Sequence, residues 1–92
     1  MILRSVDGLD VIFVRVARVD IAFIKFVFES YEGVAIVRTL DRHQAVLSLL
    51  ISHDFFAVAM QILASLRETV PIEEIAYPSV ADDDWLLKWV AQ

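Results

Sequence analysis

Residues Val34 to Ile51, VAIVRTLDRHQAVLSLLI, form two apolar runs separated by the polar residues Asp41 to Gln44. The aliphatic and β-branched residues of both runs favour strands, and a four-residue turn is a common connection in a hairpin. We therefore predict a β-hairpin in which Leu40 lies opposite Ala45. Because the hairpin is apolar on both faces, we expect another layer to cover each face.

The pairing of Leu40 with Ala45 decides which side chains share a face of this hairpin. One predicted face carries Val34, Ile36, Arg38, Leu40, Ala45, Leu47, Leu49 and Ile51. The other carries Ala35, Val37, Thr39, Val46, Ser48 and Leu50.

The segment before the hairpin predicts one strand and one helix. Val11 to Ala17 alternates as a strand, with Phe13 on the face opposite to Ile12, Val14 and Val16, which should face the helices. A helix then begins at Asp20, whose carboxylate can cap the first turn, and ends at Gly33. Its predicted inward stripe is Ile21, Ile24, Val27, Phe28 and Tyr31.

The segment after the hairpin predicts a helix from Phe55 to about Thr69 and a strand from Ile72 to Tyr77. The inward stripe of this helix is Phe55 or Phe56, Ala59, Ile62, Leu63 and Leu66. The order strand, helix, strand, strand, helix, strand predicts an α+β fold, the ferredoxin-like βαββαβ antiparallel sheet with two helices on one face. We assign residues 1–78 to this domain and residues 79–92 to an amphipathic helical tail that carries Trp85 and Trp89.

Composition restricts the classes of function. A chain of 92 residues that is 59% hydrophobic, with a mean hydropathy of +0.65, has more apolar residues than a small core encloses, which predicts self-association, first of all as a homodimer. The net charge of -5 argues against nucleic acid as a partner. The absence of cysteine fits a reducing compartment, and Arg4 and Asp7 interrupt any signal-peptide core, so we expect an unprocessed cytoplasmic protein.

The stretch from Ala45 to Leu66 is long enough to cross a membrane. Asp54 lies near its middle, at a cost of roughly 2.5 to 3.5 kcal/mol on insertion scales. We therefore expect a strand followed by a helix here, and no membrane partner.

The block DIAFIKFVFESYEGVAIVRTLD, Asp20 to Asp41, resembles a bacterial family called domain of unknown function 4911. The matching pattern is a helix that starts at an aspartate, a YEG ending, and an apolar strand that closes in a turn. The resemblance extends over about Val11 to Pro78 and leaves the tryptophan-containing tail outside. It implies the fold and a bacterial source, and it implies no site because the family has no assigned activity.

Candidate catalytic, cofactor-binding and metal-binding residues are few, and we predict none. His43 and His53 fall at opposite ends of one predicted strand, roughly 30 Å apart at 3.3 Å per residue, so they cannot share an ion within one chain. Arg15, Arg18 and Arg38 could hold an anion near the start of the first helix, but Asp20 opposes it. Tyr31 with Glu29 or Glu32 fits the end of a helix better than the lip of a pocket.

The sequence thus favours a non-enzymatic association module that forms a homodimer or binds another protein. The predicted interface residues lie on the sheet face away from the helices and in the tail: Phe13, Val37, Val46, Leu50, Trp85 and Trp89. The tail could pack on its own chain or on a partner. The alternative is a regulatory sensor of small molecules of the amino-acid-binding type, although such modules usually have glycine between the first strand and helix, where this chain has Ala17 to Asp20.

Overall fold

The computed structural model describes residues 3–4, 8–76 and 78. The strands and helices in chain order are β1 (Leu3–Arg4), β2 (Leu9–Val16), α1 (Ile21–Glu29), β3 (Ala35–Asp41), β4 (Val46–Ser52), α2 (Phe56–Arg67) and β5 (Ile72–Ile75). A 3-10 turn precedes each helix, at Arg18–Asp20 and at His53–Phe55. The predicted tail helix, with the domain boundary after residue 78, lies outside the described residues.

Strand β2 is the centre of an antiparallel sheet. It pairs with β4 from Leu9 to Arg15, and β4 pairs in turn with β3. The other edge of β2 pairs with β1 at Asp10 and Val11 and with β5 from Phe13 to Val16, so β1 and β5 follow one another along that edge. The order β3, β4, β2, β5, with both helices on one face, confirms the predicted ferredoxin-like arrangement.

The main core lies between the sheet and the two helices. Strand β2 contributes Ile12, Val14 and Val16, as predicted. The predicted stripe of α2 is confirmed with Phe56, which packs against the core, while Phe55 is exposed. The core residues from the helices are Ile21, Ile24 and Phe28 of α1, with Ala59, Ile62, Leu63 and Leu66 of α2.

The ends of α1 differ from the prediction in detail. Asp20 precedes the helix but its side chain makes no capping hydrogen bond, because the 3-10 turn already places its backbone in a helical conformation. The helix ends at Glu29, so Tyr31 lies beyond it and is exposed rather than part of the inward stripe. Gly33, with φ of +80°, then reverses the chain in a turn where the Val34 amide donates to the Tyr31 carbonyl.

The predicted register of the central hairpin is wrong by one residue. The four-residue loop runs from Arg42 to Ala45. Val37 lies opposite Leu49 and shares its sheet face, whereas the predicted register placed these two residues on different faces. A bulge between Thr39 and Asp41 and the left-handed backbone of Ala45, with φ of 54°, accommodate this closure. As a result Val37 packs in the core beneath the helices, whereas Ile36 and Arg38 share the opposite face with Leu50 and Ser48.

The stretch from Ala45 to Leu66 is divided between β4, a 3-10 turn and α2. Within the described part of the chain, no helix has both the length and the apolar character that a membrane crossing requires.

Candidate interaction surfaces

The sheet face that points away from the helices, which we call the second sheet face, includes Val11, Phe13, Val46, Ser48 and Leu50, with Ile36 and Arg38 on β3. Phe13, Val46 and Leu50 are three of the predicted interface residues, and they lie on this face as expected. They are nevertheless buried within the single chain, with Phe13 0% and Leu50 2% exposed. Val11, Phe13 and Leu50 form one buried apolar cluster on this face, and Leu9, Leu40 and Ile75 pack at its margin.

Val37, the fourth predicted interface residue in the sheet, is not on the second sheet face. The shifted register turns its side chain toward α1 and α2, where it joins the core with 2% exposure. Trp85 and Trp89 lie outside the described residues.

Ser48 is an unusual member of the second sheet face. It lies in the middle of β4, opposite Phe13 on one neighbouring strand and Arg38 on the other. Its hydroxyl is fully buried and has no hydrogen-bond partner among the described residues. A buried hydroxyl without a partner is destabilising, because it loses its hydrogen bonds to water and gains none in return.

Among the described residues, the most exposed large apolar side chains include three on the outer side of α1, on the other side of the molecule. Val19, Phe23 and Phe26 are spaced four and three residues apart, so they follow one side of the helix and the turn that precedes it. We call these residues the α1 stripe. Val19 is 88% exposed and Phe26 is 71% exposed. An aromatic residue this exposed on a regular helix is a natural contact for a partner.

Lys25 and Glu29 flank the α1 stripe on one side. They are one helical turn apart, yet neither forms an ion pair with another residue in the described ranges. A lysine that precedes a glutamate by four residues is the weaker orientation for pairing within a helix. Both charges therefore remain available to groups on a partner.

The three arginines that were candidates for one anion site are separated. Arg15 forms an ion pair of 3.3 Å with Glu73 and lines a cavity of about 500 Å³ with Arg67. Arg38 lines a different cavity, beside Lys25 and Glu29. Arg18 lines a third one, of about 440 Å³, together with Arg42, and no pattern in the sequence predicts that these two arginines lie close together.

The cavity between Arg18 and Arg42 combines charge with apolar surface. Its other lining residues are Val19 and Ile21 at the start of α1. Neither guanidinium makes a hydrogen bond or ion pair within the described part of the chain, in contrast to Arg15. Two such guanidinium groups are suited to a carboxylate or a phosphate.

The two histidines lie beyond opposite ends of strand β4. His43 is exposed in the β3–β4 turn, whereas His53, at the start of the second 3-10 turn, places Nδ1 2.9 Å from Oδ2 of Asp10. The Asp10 side chain is 2% exposed and the His53 side chain is 53% exposed, so this hydrogen bond links a buried carboxylate to a half-exposed imidazole. Among the described residues, no group of three or more histidine, aspartate or glutamate side chains could hold a metal ion.

The sheet order and the single helical layer define a small α+β domain of the ferredoxin-like class. Residues 14–70 match the family described as Domain of unknown function (DUF4911). This match spans more than half of the 92 residues, and the chain belongs to that family, as its resemblance over Asp20 to Asp41 predicted. Comparisons with curated proteins and with solved structures find no match.

Proposed function

We propose that this protein is a non-enzymatic association module of the bacterial cytoplasm, and that it forms a homodimer through the α1 stripe. The observation that carries the proposal is the exposure of Phe26, at 71%, on a helix whose opposite side anchors the core. The apolar surplus of the sequence supports the same class of function. Phe13, Val46 and Leu50 are buried within the chain, whereas the α1 stripe is exposed and a partner can reach it directly.

A second copy of the chain is the partner that fits this helix. A two-fold axis perpendicular to two antiparallel α1 helices places the same flank of each helix on the same side of the interface. The order of residues along one flank is then the reverse of the order along the other. With the axis near Phe26 and Val27, Lys25 of one protomer lies beside Glu29 of its partner, and the reverse contact forms as well. Each Phe26 then packs close to the axis, where it is shielded from water.

A charge exchange tests this arrangement. Lys25→Glu or Glu29→Lys alone places like charges opposite each other across the two-fold axis and should weaken the dimer. The double variant Lys25→Glu with Glu29→Lys restores both contacts and should restore the dimer. Light scattering over a range of protein concentrations measures the result. A wild-type chain that stays monomeric at every concentration, or single and double variants that behave alike, would contradict the proposal.

The second candidate function is a sensor of small anionic molecules, and it is favoured by Arg18 and Arg42, which line one cavity and pair with no described residue. Val19 belongs both to this cavity and to the α1 stripe, so a ligand would sit at the edge of the proposed dimer interface. Specific binding to the native state raises the melting temperature. A thermal-shift screen with inorganic phosphate, amino acids and nucleotides should give a rise that Arg18→Gln and Arg42→Gln remove and that Arg67→Gln, in a neighbouring cavity, preserves.

A further inference from the structure

The second sheet face is buried in the single chain although no described element lies over it. Val11 and Phe13 are fully buried, and Leu50 retains 2% exposure. Ile36 shares this face at its corner on β3 and is 58% exposed. The central positions are therefore shielded, while a corner of the same face is open to solvent. Central side chains of a bare sheet face would remain partly exposed, so their burial requires an overlying layer.

The described elements do not supply that layer. Helices α1 and α2 pack on the opposite face, with Ile12 and Val14. Strand β1 pairs edge to edge with Asp10 and Val11, which keeps it in the plane of the sheet. Leu9, Leu40 and Ile75 border the cluster from positions within the sheet itself.

We propose that residues 79–92 of the same chain form this layer, with Trp85 and Trp89 packed on Phe13 and Leu50. The chain leaves β5 at Ile75, four residues before this segment, and Ile75 lies opposite Phe13 and packs against the cluster of Val11, Phe13 and Leu50. Trp85 and Trp89, like Leu86 and Val90, are four residues apart and fall on one side of a helix.

The length of the segment suits the surface. A helix over the last eight residues from Trp85 is about 12 Å long at 1.5 Å per residue. Three adjacent strands, spaced about 4.8 Å apart, span roughly 10 Å between the outer two. A second copy of the chain is not required, since the burial is that of one chain alone.

The two tryptophans of the protein are both in this segment, so tryptophan fluorescence of the full chain reports on it directly. We expect blue-shifted emission and slow quenching by acrylamide, both independent of protein concentration. Leu50→Asp should shift the emission to longer wavelength and increase quenching several-fold. Phe26→Asp, on the outer side of α1, should leave the emission unchanged and is the matched control. If Leu50→Asp fails to fold, judged by far-ultraviolet circular dichroism, Leu50→Ala provides the same comparison with a smaller shift.

Three results would overturn the proposal: solvent-exposed tryptophan emission in the wild type, emission that becomes blue-shifted only as the concentration rises, or folded Leu50 variants with unchanged emission. The second of these would assign the face to a second copy. Because no tryptophan lies on α1, failure of the dimer proposed above leaves this measurement unaffected.

Discussion

Replacing Phe26 by alanine should separate association from folding. Because the Phe26 side chain is 71% exposed, removing it costs the monomer little, and alanine is the better helix former by a few tenths of a kcal/mol. Phe28, two residues further along the same helix, is 0% exposed. Phe28→Ala should therefore destabilise the fold by about 3 to 5 kcal/mol, the usual range for a buried phenylalanine.

The expected effect of Phe26→Ala on the dimer follows from its exposed area. A phenylalanine side chain buries about 200 Å², so 71% exposure leaves roughly 140 Å² for a partner to cover. At about 25 cal/mol per Å², this is at most about 3.5 kcal/mol for each subunit. Allowing half of that for incomplete burial gives about 3.5 kcal/mol per symmetric dimer, or roughly a 300-fold increase in Kd.

Sedimentation equilibrium over a range of concentrations measures the dimer, and chemical denaturation of the same samples measures the fold. Val58→Ala is the control for exposure, since Val58 is 38% exposed and lies on α2 rather than on α1. An unchanged Kd for Phe26→Ala, or an equal increase for Val58→Ala, would refute the assignment of the interface to α1.

Three further substitutions test individual contacts through the free energy of unfolding. Ser48→Ala removes a buried hydroxyl that has no described partner and should leave stability unchanged or raise it by up to about 1 kcal/mol; a clear loss would mean that the hydroxyl is hydrogen-bonded. His53→Ala removes a hydrogen bond of the buried Asp10 carboxylate and should lower the free energy of unfolding by about 1 to 3 kcal/mol. His43→Ala, in an exposed turn, should have no effect. Equal effects of the two substitutions would contradict this interpretation. Gly33→Ala meets no atom within 4 Å of the added methyl group, so it should cost about 1 kcal/mol through its positive φ alone, and a much larger loss would point to a steric clash.

The secondary structure was largely predictable because each element has a chemical boundary. Pro71 and Gly33 interrupt the periodic segments, and the alternation of Ile12, Val14 and Val16 assigns one face of β2 to the core. These signals are local, and the ferredoxin-like order follows from their succession.

The register of the hairpin was not predictable because both of its faces are apolar. A polar face would have distinguished Ile36 from Val37, since a shift of one residue would have buried charges. Here either register buries aliphatic side chains, and the choice depends on the bulge before Asp41 and on the backbone of Ala45. The misplacement of Val37 follows from this ambiguity.

The α1 stripe was missed for a related reason. The sequence IAFIKFVF is apolar around most of the helix, so a search for one inward stripe found Ile21, Ile24 and Phe28 and gave Phe26 no role. The signal that could have identified it was the number of apolar residues in this helix. Two phenylalanines remained after the residues of its inward side had been assigned. Likewise, the cavity between Arg18 and Arg42 joins the turn between β2 and α1 to the β3–β4 loop, and only the tertiary fold brings those two residues together.

The central position of β2 has a consequence for how the chain folds. Its long partners are distant in sequence, since Leu9 pairs with Ser52 and Val16 pairs with Ile72. The β3–β4 hairpin closes only a short loop and should form early. The pairing of β2 with β4 and with β5 closes longer loops at a larger entropic cost, so it should form later. During synthesis, β2 leaves the ribosome before β4 and β5, so this apolar strand pairs with them only after they have been made. Its insertion between β4 and β5 should set the rate of folding.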